Sequence, residues 1–148
     1  MKNSTFVLVF FLISFFAGAQ NIKESKVPAP VLKNFKKENP NLVVKNWEKE
    51  GKLYEAEVEV DGKERSIVYD EQGNFVAKEE AVGASEMPPM ILDYLIKNFP
   101  GMVAQEYTRV VKADGTASYE ADINDQDLLF DATGNFTGKE KDDADDKD

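Results

Sequence analysis

The residues that could do chemistry in this chain are carboxylates, and they come in a pattern. Glu55, Glu57 and Glu59 alternate with Tyr54, Ala56, Val58 and Val60; further on, Glu120, Asp122 and Asn124 alternate with Tyr119, Ala121 and Ile123. A period of two places such acids on one face of a strand. A row of this kind can dock a basic partner, hold calcium through oxygen donors, or, as a close pair, do the acid–base work of a glycosidase. The densest oxygen cluster is "DINDQD", where Asp122, Asn124 and Asp127 are the candidate calcium ligands. Alternation puts Asp122 and Asn124 on an exposed strand face, which favours solvated acid over a metal site. A glycosidase pair is disfavoured because acids are abundant and no scaffold motif accompanies them.

Composition narrows the chemistry further. The 148 residues contain no histidine and no cysteine. Ser-His-Asp and Cys-His catalysis are therefore excluded, as is a zinc site of the usual Cys/His type. No disulfide holds the fold, so its core must. The expectation is a protein that is not an enzyme and carries no cofactor, calcium being the one candidate kept open.

Residues 1–19 read as a secretory signal peptide: Lys2, the apolar run "FVLVFFLISFF", then the small-residue pattern "AGA" before Gln20. The run is too short to span a bilayer as a helix. Cleavage after Ala19 would leave 17 of the 18 basic residues against 28 acidic ones, a net charge of −11. That balance argues against nucleic acid and against an anionic membrane surface. It suits a soluble chain exported to the periplasm or the extracellular space, or one that attracts cations or basic partners.

The elements that must position these acids are written twice. "IVYDEQGNFVAKE" from Ile67 and "LLFDATGNFTGKE" from Leu128 share six of thirteen residues. Upstream, "VPAPVLKNFKKENP" from Val27 is answered by "MPPMILDYLIKNFP" from Met87. Val27, Val31, Leu32 and Phe35 fall on one helix face, as do Met87, Ile91, Leu92, Leu95 and Ile96. Proline is tolerated in the first turn, Pro40 and Pro100 end the helices, and Ser85 is a candidate N-cap for the second. After each helix the period changes to two, and "EGK", "DGK" and "ADGT" mark hairpins. In each Asp-x-x-Gly-Asn-Phe the glycine supplies a positive φ, the aspartate accepts from turn N–H groups, and the phenylalanine enters the core. Turn geometry is favoured over calcium there, since the EF-hand spacing is missing. Trp47 and Tyr107 occupy matching places as possible aromatic anchors, with core filling the favoured role.

The order of (Val/Met)-Pro, amphipathic helix, "NP" or "FP", a strand with Trp or Tyr, a "YE" strand and "(Y/F)D-x-x-GN-F" resembles the PepSY-like family of exported bacterial domains, which are similar in fold to the beta-lactamase inhibitor protein. The resemblance spans Val27 to Glu140. It implies a helix followed by an antiparallel meander, used twice, with the meanders joined into one curved sheet, and a binding or inhibitory role without catalytic residues.

The expected architecture is α+β: two tandem helix-plus-meander units in one curved antiparallel sheet with the helices on one face. The divisions are a signal peptide over 1–19, a polar lead-in over 20–26, unit one over 27–80, a linker over 81–86, unit two over 87–140 and an acidic tail over 141–148. The expected function is an exported binding module, an inhibitor or adaptor of another envelope or secreted protein, acting as a monomer through Glu55, Glu57, Glu59, Glu120 and Asp122 on the sheet face opposite the helices. The alternative is a calcium- or small-ligand-responsive sensor.

Overall fold

The computed structural model describes residues 20–124 and 126–141. The expected signal peptide and all but the first residue of the expected acidic tail lie outside them, as does Asp125 within the "DINDQD" cluster. The chain runs β1 (Gln20–Ile22), α1 (Ala29–Glu38), β2 (Val44–Glu50), β3 (Leu53–Val60), β4 (Lys63–Asp70), β5 (Phe75–Ala81), α2 (Pro89–Asn98), β6 (Glu106–Lys112), β7 (Ala117–Asp122), β8 (Gln126–Asp131) and β9 (Phe136–Lys141). All nine strands form one antiparallel sheet in chain order. Among the described residues no helix is long and apolar enough to cross a membrane.

Local sequence explains these elements. Each helix starts just after its first proline and stops two residues before Pro40 or Pro100. Asp61 and Gly62 both take positive φ in the β3–β4 turn, the two-residue hairpin that matches strand twist. Ser85 does not cap α2. It lies in a 3-10 turn over Ala84–Glu86, where the Glu86 carboxylate accepts from the Gly83 N–H at 2.8 Å. The stretch read as a linker thus holds the last residue of β5 and this turn. The polar lead-in contains a strand: β1 pairs with β2, with Ile22 opposite Trp47. Three residues are too few to show a period.

Both helices cover one face of the sheet. Val31 and Phe35 of α1 pack on Trp47, Tyr54, Ala56, Val58, Ile67 and Tyr69, and Ile91 and Leu95 of α2 on Ala121, Ile123, Leu128 and Phe130. Phe35 meets Trp47 and Tyr69 edge-on at 5.6 and 6.4 Å, a favourable aromatic geometry. Trp47 is only 4% exposed and Tyr107 packs against the second cluster. Both are core side chains on the helix side, away from the face on which an anchor would act. Ile96, read as part of the buried face of α2, is 72% exposed. It sits four residues past Leu92, itself only half-buried, where the apolar stripe runs off the edge of the contact.

The repeated turn motif joins sheet to helix. Asp70 Oδ1 accepts from the N–H groups of Gln72 and Asn74 at 2.9 and 2.8 Å, and Asp131 Oδ1 accepts from those of Thr133 and Asn135, both at 2.9 Å. Asn74 and Asn135 donate back to the second oxygen at 2.8 and 2.9 Å. Hydrogen bonds from the Asn135 and Thr133 side chains and N–H groups hold the Asp131 carboxyl well below its usual range. Gly73 and Gly134 carry φ of +81° and +93°. A Cβ on Gly73 would meet the Pro30 carbonyl at 2.6 Å, and one on Gly134 would meet Met90 Cβ at 3.1 Å. Each turn is pressed against the first turn of its helix. Phe75 then packs on Tyr69, while Phe136, still 37% exposed, stacks on Tyr94 at 4.8 Å.

Candidate functional site

Among the described residues no helix covers the opposite face of the sheet, yet that face is not a flat, wet surface. Val68, Ala77, Val110 and Leu129 point there and are nearly inaccessible, although none belongs to either helix-side cluster. A single pocket of about 260 Å³ is lined from Glu48 on β2 across to Asp127 on β8. Those strands would lie about 29 Å apart in a flat sheet. The sheet therefore curls into a trough whose walls face each other over an apolar floor.

The acids predicted from the alternation divide. Glu55, Glu57, Glu120 and Asp122 line this one pocket, and Asp127 closes its far end. Glu59 does not line it. Its carboxylate is bound by Lys45 at 2.6 Å beside the β3–β4 turn. Asn124 lies in the exposed β7–β8 turn with a φ of +55° and reaches Met102. Among the described residues no group of three acids is spaced to hold a metal ion.

Two carboxyls are buried. Glu55 is 9% exposed, and burial pushes it up to about 7; a hydrogen bond from Ser66 opposes this, and the charges of Glu48, Glu57 and Glu50 add to it. Glu79, on β5, is 6% exposed, and burial, with Glu120, Glu55 and Glu50 around it, pushes it up to about 10. Its Oε1 accepts no hydrogen bond among the described residues. Burial likewise raises Glu48. The lining holds ten carboxylates and only two cations. Both cations are engaged: Arg65 donates twice to Glu80, at 2.8 and 3.1 Å, and Lys45 holds Glu59 and Glu64.

Sequence reasoning missed Glu79, and a β-bulge explains why. Simple alternation from Phe75, a core residue, puts Ala77 and Glu79 on the helix side. In the structure Tyr69 pairs with Phe75 but Val68 pairs with Ala77, so Val76 is the extra residue. Beyond that bulge the side chains change faces. Ala77 then lies beside Val68 and Glu79 beside Ser66, next to Glu57. The same irregularity recurs between Leu129 and Phe130 against β9. The sequence signal was the repeated "GNF" followed two residues later by "KE"; its consequence for facing needed the pairing.

A buried, unpaired carboxyl in a cleft lined by more carboxylates is costly to maintain. The arrangement can neutralise and bind a cationic group brought from outside.

One family model matches the chain twice, over residues 17–77 and 75–138; its description is "Putative beta-lactamase-inhibitor-like, PepSY-like". No curated protein matches the sequence. Among solved structures the chain is similar to one from Bacteroides eggerthii described as a putative periplasmic protein, at 17% identity and a TM-score of 0.69 over 77% of this chain and 88% of that one. It is similar also to a DUF2874 family protein of Bacteroides uniformis, at 20% identity and 0.67 over 76% and 88%. It is similar, too, to a BLIP-like protein of Bacteroides fragilis, at 21% identity and a TM-score of 0.63 over 82% and 92%.

Proposed function

The chain belongs to the PepSY-like, beta-lactamase-inhibitor-like family, and we propose that it is an exported, non-enzymatic binding module that takes another envelope or secreted protein into its acidic trough. The observation that carries this reading is the curled sheet face, where Glu55 and Glu79 are kept buried beside Glu57 and Glu120. Desolvated acids with strongly shifted titration cluster at functional sites. Inhibitor-like relatives support a binding role over catalysis, and a relative described as periplasmic supports export. Two copies of one unit, each a ten-residue helix followed by an antiparallel meander, supply the two walls. Calcium and other cofactors are not needed for this role, and the module acts as a monomer.

The test is site-specific photocrosslinking in the cell envelope. A crosslinker at Thr108, inside the trough, should capture one dominant protein that a crosslinker at Lys36, on α1, does not. Purified, that protein should bind Glu57→Lys and Glu120→Lys variants at least tenfold more weakly. Capture from both positions alike, or unchanged affinity in both variants, contradicts the proposal.

A further inference from the structure

If the trough is a docking face, one point in it has a chemistry of its own. Glu79 sits at the centre of the sheet, on β5, with carboxylates from both walls turned toward it: Glu55 and Glu57 on one side and Glu120 on the other. It lines the pocket, it is 94% buried, since only 6% of it is exposed, and its Oε1 has no hydrogen-bond donor among the described residues. Arg65, the nearest cation on β4, is already held by both of its bonds to Glu80. The position lacks one positively charged donor, and none of the described residues provides it.

We propose that this point is the receptor for a single arginine side chain projected into the trough by the partner protein, with its guanidinium on the Glu79 carboxylate. This rests on the reading of the curled face as the docking surface. Several features choose arginine. The site is desolvated, and a guanidinium is more weakly hydrated than an ammonium, so its transfer costs less. Its planar fork can give two parallel N–H donors to one carboxylate while other donors remain for Glu55 or Glu120. A cavity of about 260 Å³ admits one long side chain and not a folded element. A hard dication is a poorer match, because no group of three acids among the described residues is spaced for it.

The empty site favours the neutral acid. Glu55 on β3, Glu120 on β7 and Glu50 at the end of β2 all oppose ionisation of Glu79, and burial opposes it most. Ser66 on β4 and Thr108 on β6 bring no charge. An arriving guanidinium must therefore displace the Glu79 proton to solvent, leaving an ion pair. Binding at neutral pH carries proton release with it.

The experiment is carboxyl carbon-13 NMR on the exported chain at pH 7, titrated with the capped tripeptide Gly-Arg-Gly, with Gly-citrulline-Gly and calcium chloride as parallel arms. The Glu79 signal should start at the position of a protonated acid and move saturably to that of a carboxylate with the arginine peptide only. Glu79→Gln should weaken the arginine peptide at least tenfold, and the wild-type signal gives its answer even if that variant folds poorly. No saturable shift at Glu79, an equal shift with citrulline, or a response to calcium alone overturns the assignment. A partner that still binds Glu79→Gln with native affinity but loses it in Glu57→Lys would sink the arginine receptor and leave the docking face standing.

Discussion

A single glutamate shows how far burial can move chemistry in a protein without histidine. The Glu79 carboxyl is raised to about 10 from an ordinary 4.5, so the folded chain keeps a proton that the unfolded chain gives up. Stability contributed by the neutral acid is full below about pH 4.5 and is lost as pH climbs toward 10, by at most about 1.4 kcal/mol for each pH unit. Glu79→Gln keeps the shape and removes the ionisation. Thermal melts should find the variant close to wild type at pH 5 and clearly more stable at pH 8, with the gap widening as pH rises. A gap that stays constant from pH 5 to 9 would show that Glu79 is not the buried neutral acid described above. The same residue marks the limit of reading strands by alternation. The face of Glu55 was legible because β3 is regular from Leu53 to Val60. That of Glu79 was not, because the bulge at Val76 reverses the count, and no residue type announces it.

At the scale of elements, the twice-written Asp-x-x-Gly-Asn-Phe is a device for fastening a hairpin to the start of a helix. The aspartate organises the turn, and the glycine lets it approach the helix backbone. The two glycines are not equally tolerant. At Gly73 a Cβ collides with fixed backbone of Pro30 at 2.6 Å; at Gly134 it touches side-chain carbons at 3.1–3.2 Å. Both also pay for a positive φ, roughly 1–2 kcal/mol for an L-residue. Gly73→Ala should therefore cost about 3 kcal/mol or more and Gly134→Ala about 1–2 kcal/mol, read from urea unfolding followed by Trp47 fluorescence. Equal losses would mean that the helix contact contributes nothing. The turn, both helices and the strands β3 to β5 and β7 to β9 were legible, since each rests on a local period or a local breaker, while β2 and β6 came with the family resemblance. β1 was not legible: Ile22 is its one apolar residue, and its pairing with β2 is made with residues 25 or more positions away. Ile96 was misplaced for a related reason, as a helical period gives an apolar stripe but not how wide a strip of it the sheet covers.

At the scale of the molecule, one sheet has two unlike faces. The helix side is stabilised in the ordinary way, by apolar burial on α1 and α2. The other side is shaped by curvature, so acids that a flat sheet would leave in water are pressed together over Val68, Ala77, Val110 and Leu129. The composition, with 28 acidic residues against 18 basic, already pointed to the kind of partner proposed here, a basic one. The curvature was expected only through the family resemblance, because it is a sum of small twists along many strands and is written in no single one. Which face meets the partner is the claim on which everything else hangs. Methyl NMR of the complex with the crosslinked partner separates the two directly. The account predicts large shifts at Val68, Val110 and Leu129 on the trough floor, with Val31, Ile91 and Leu128 on the helix side unmoved; shifts confined to the helix side, with the floor methyls unchanged, would contradict it.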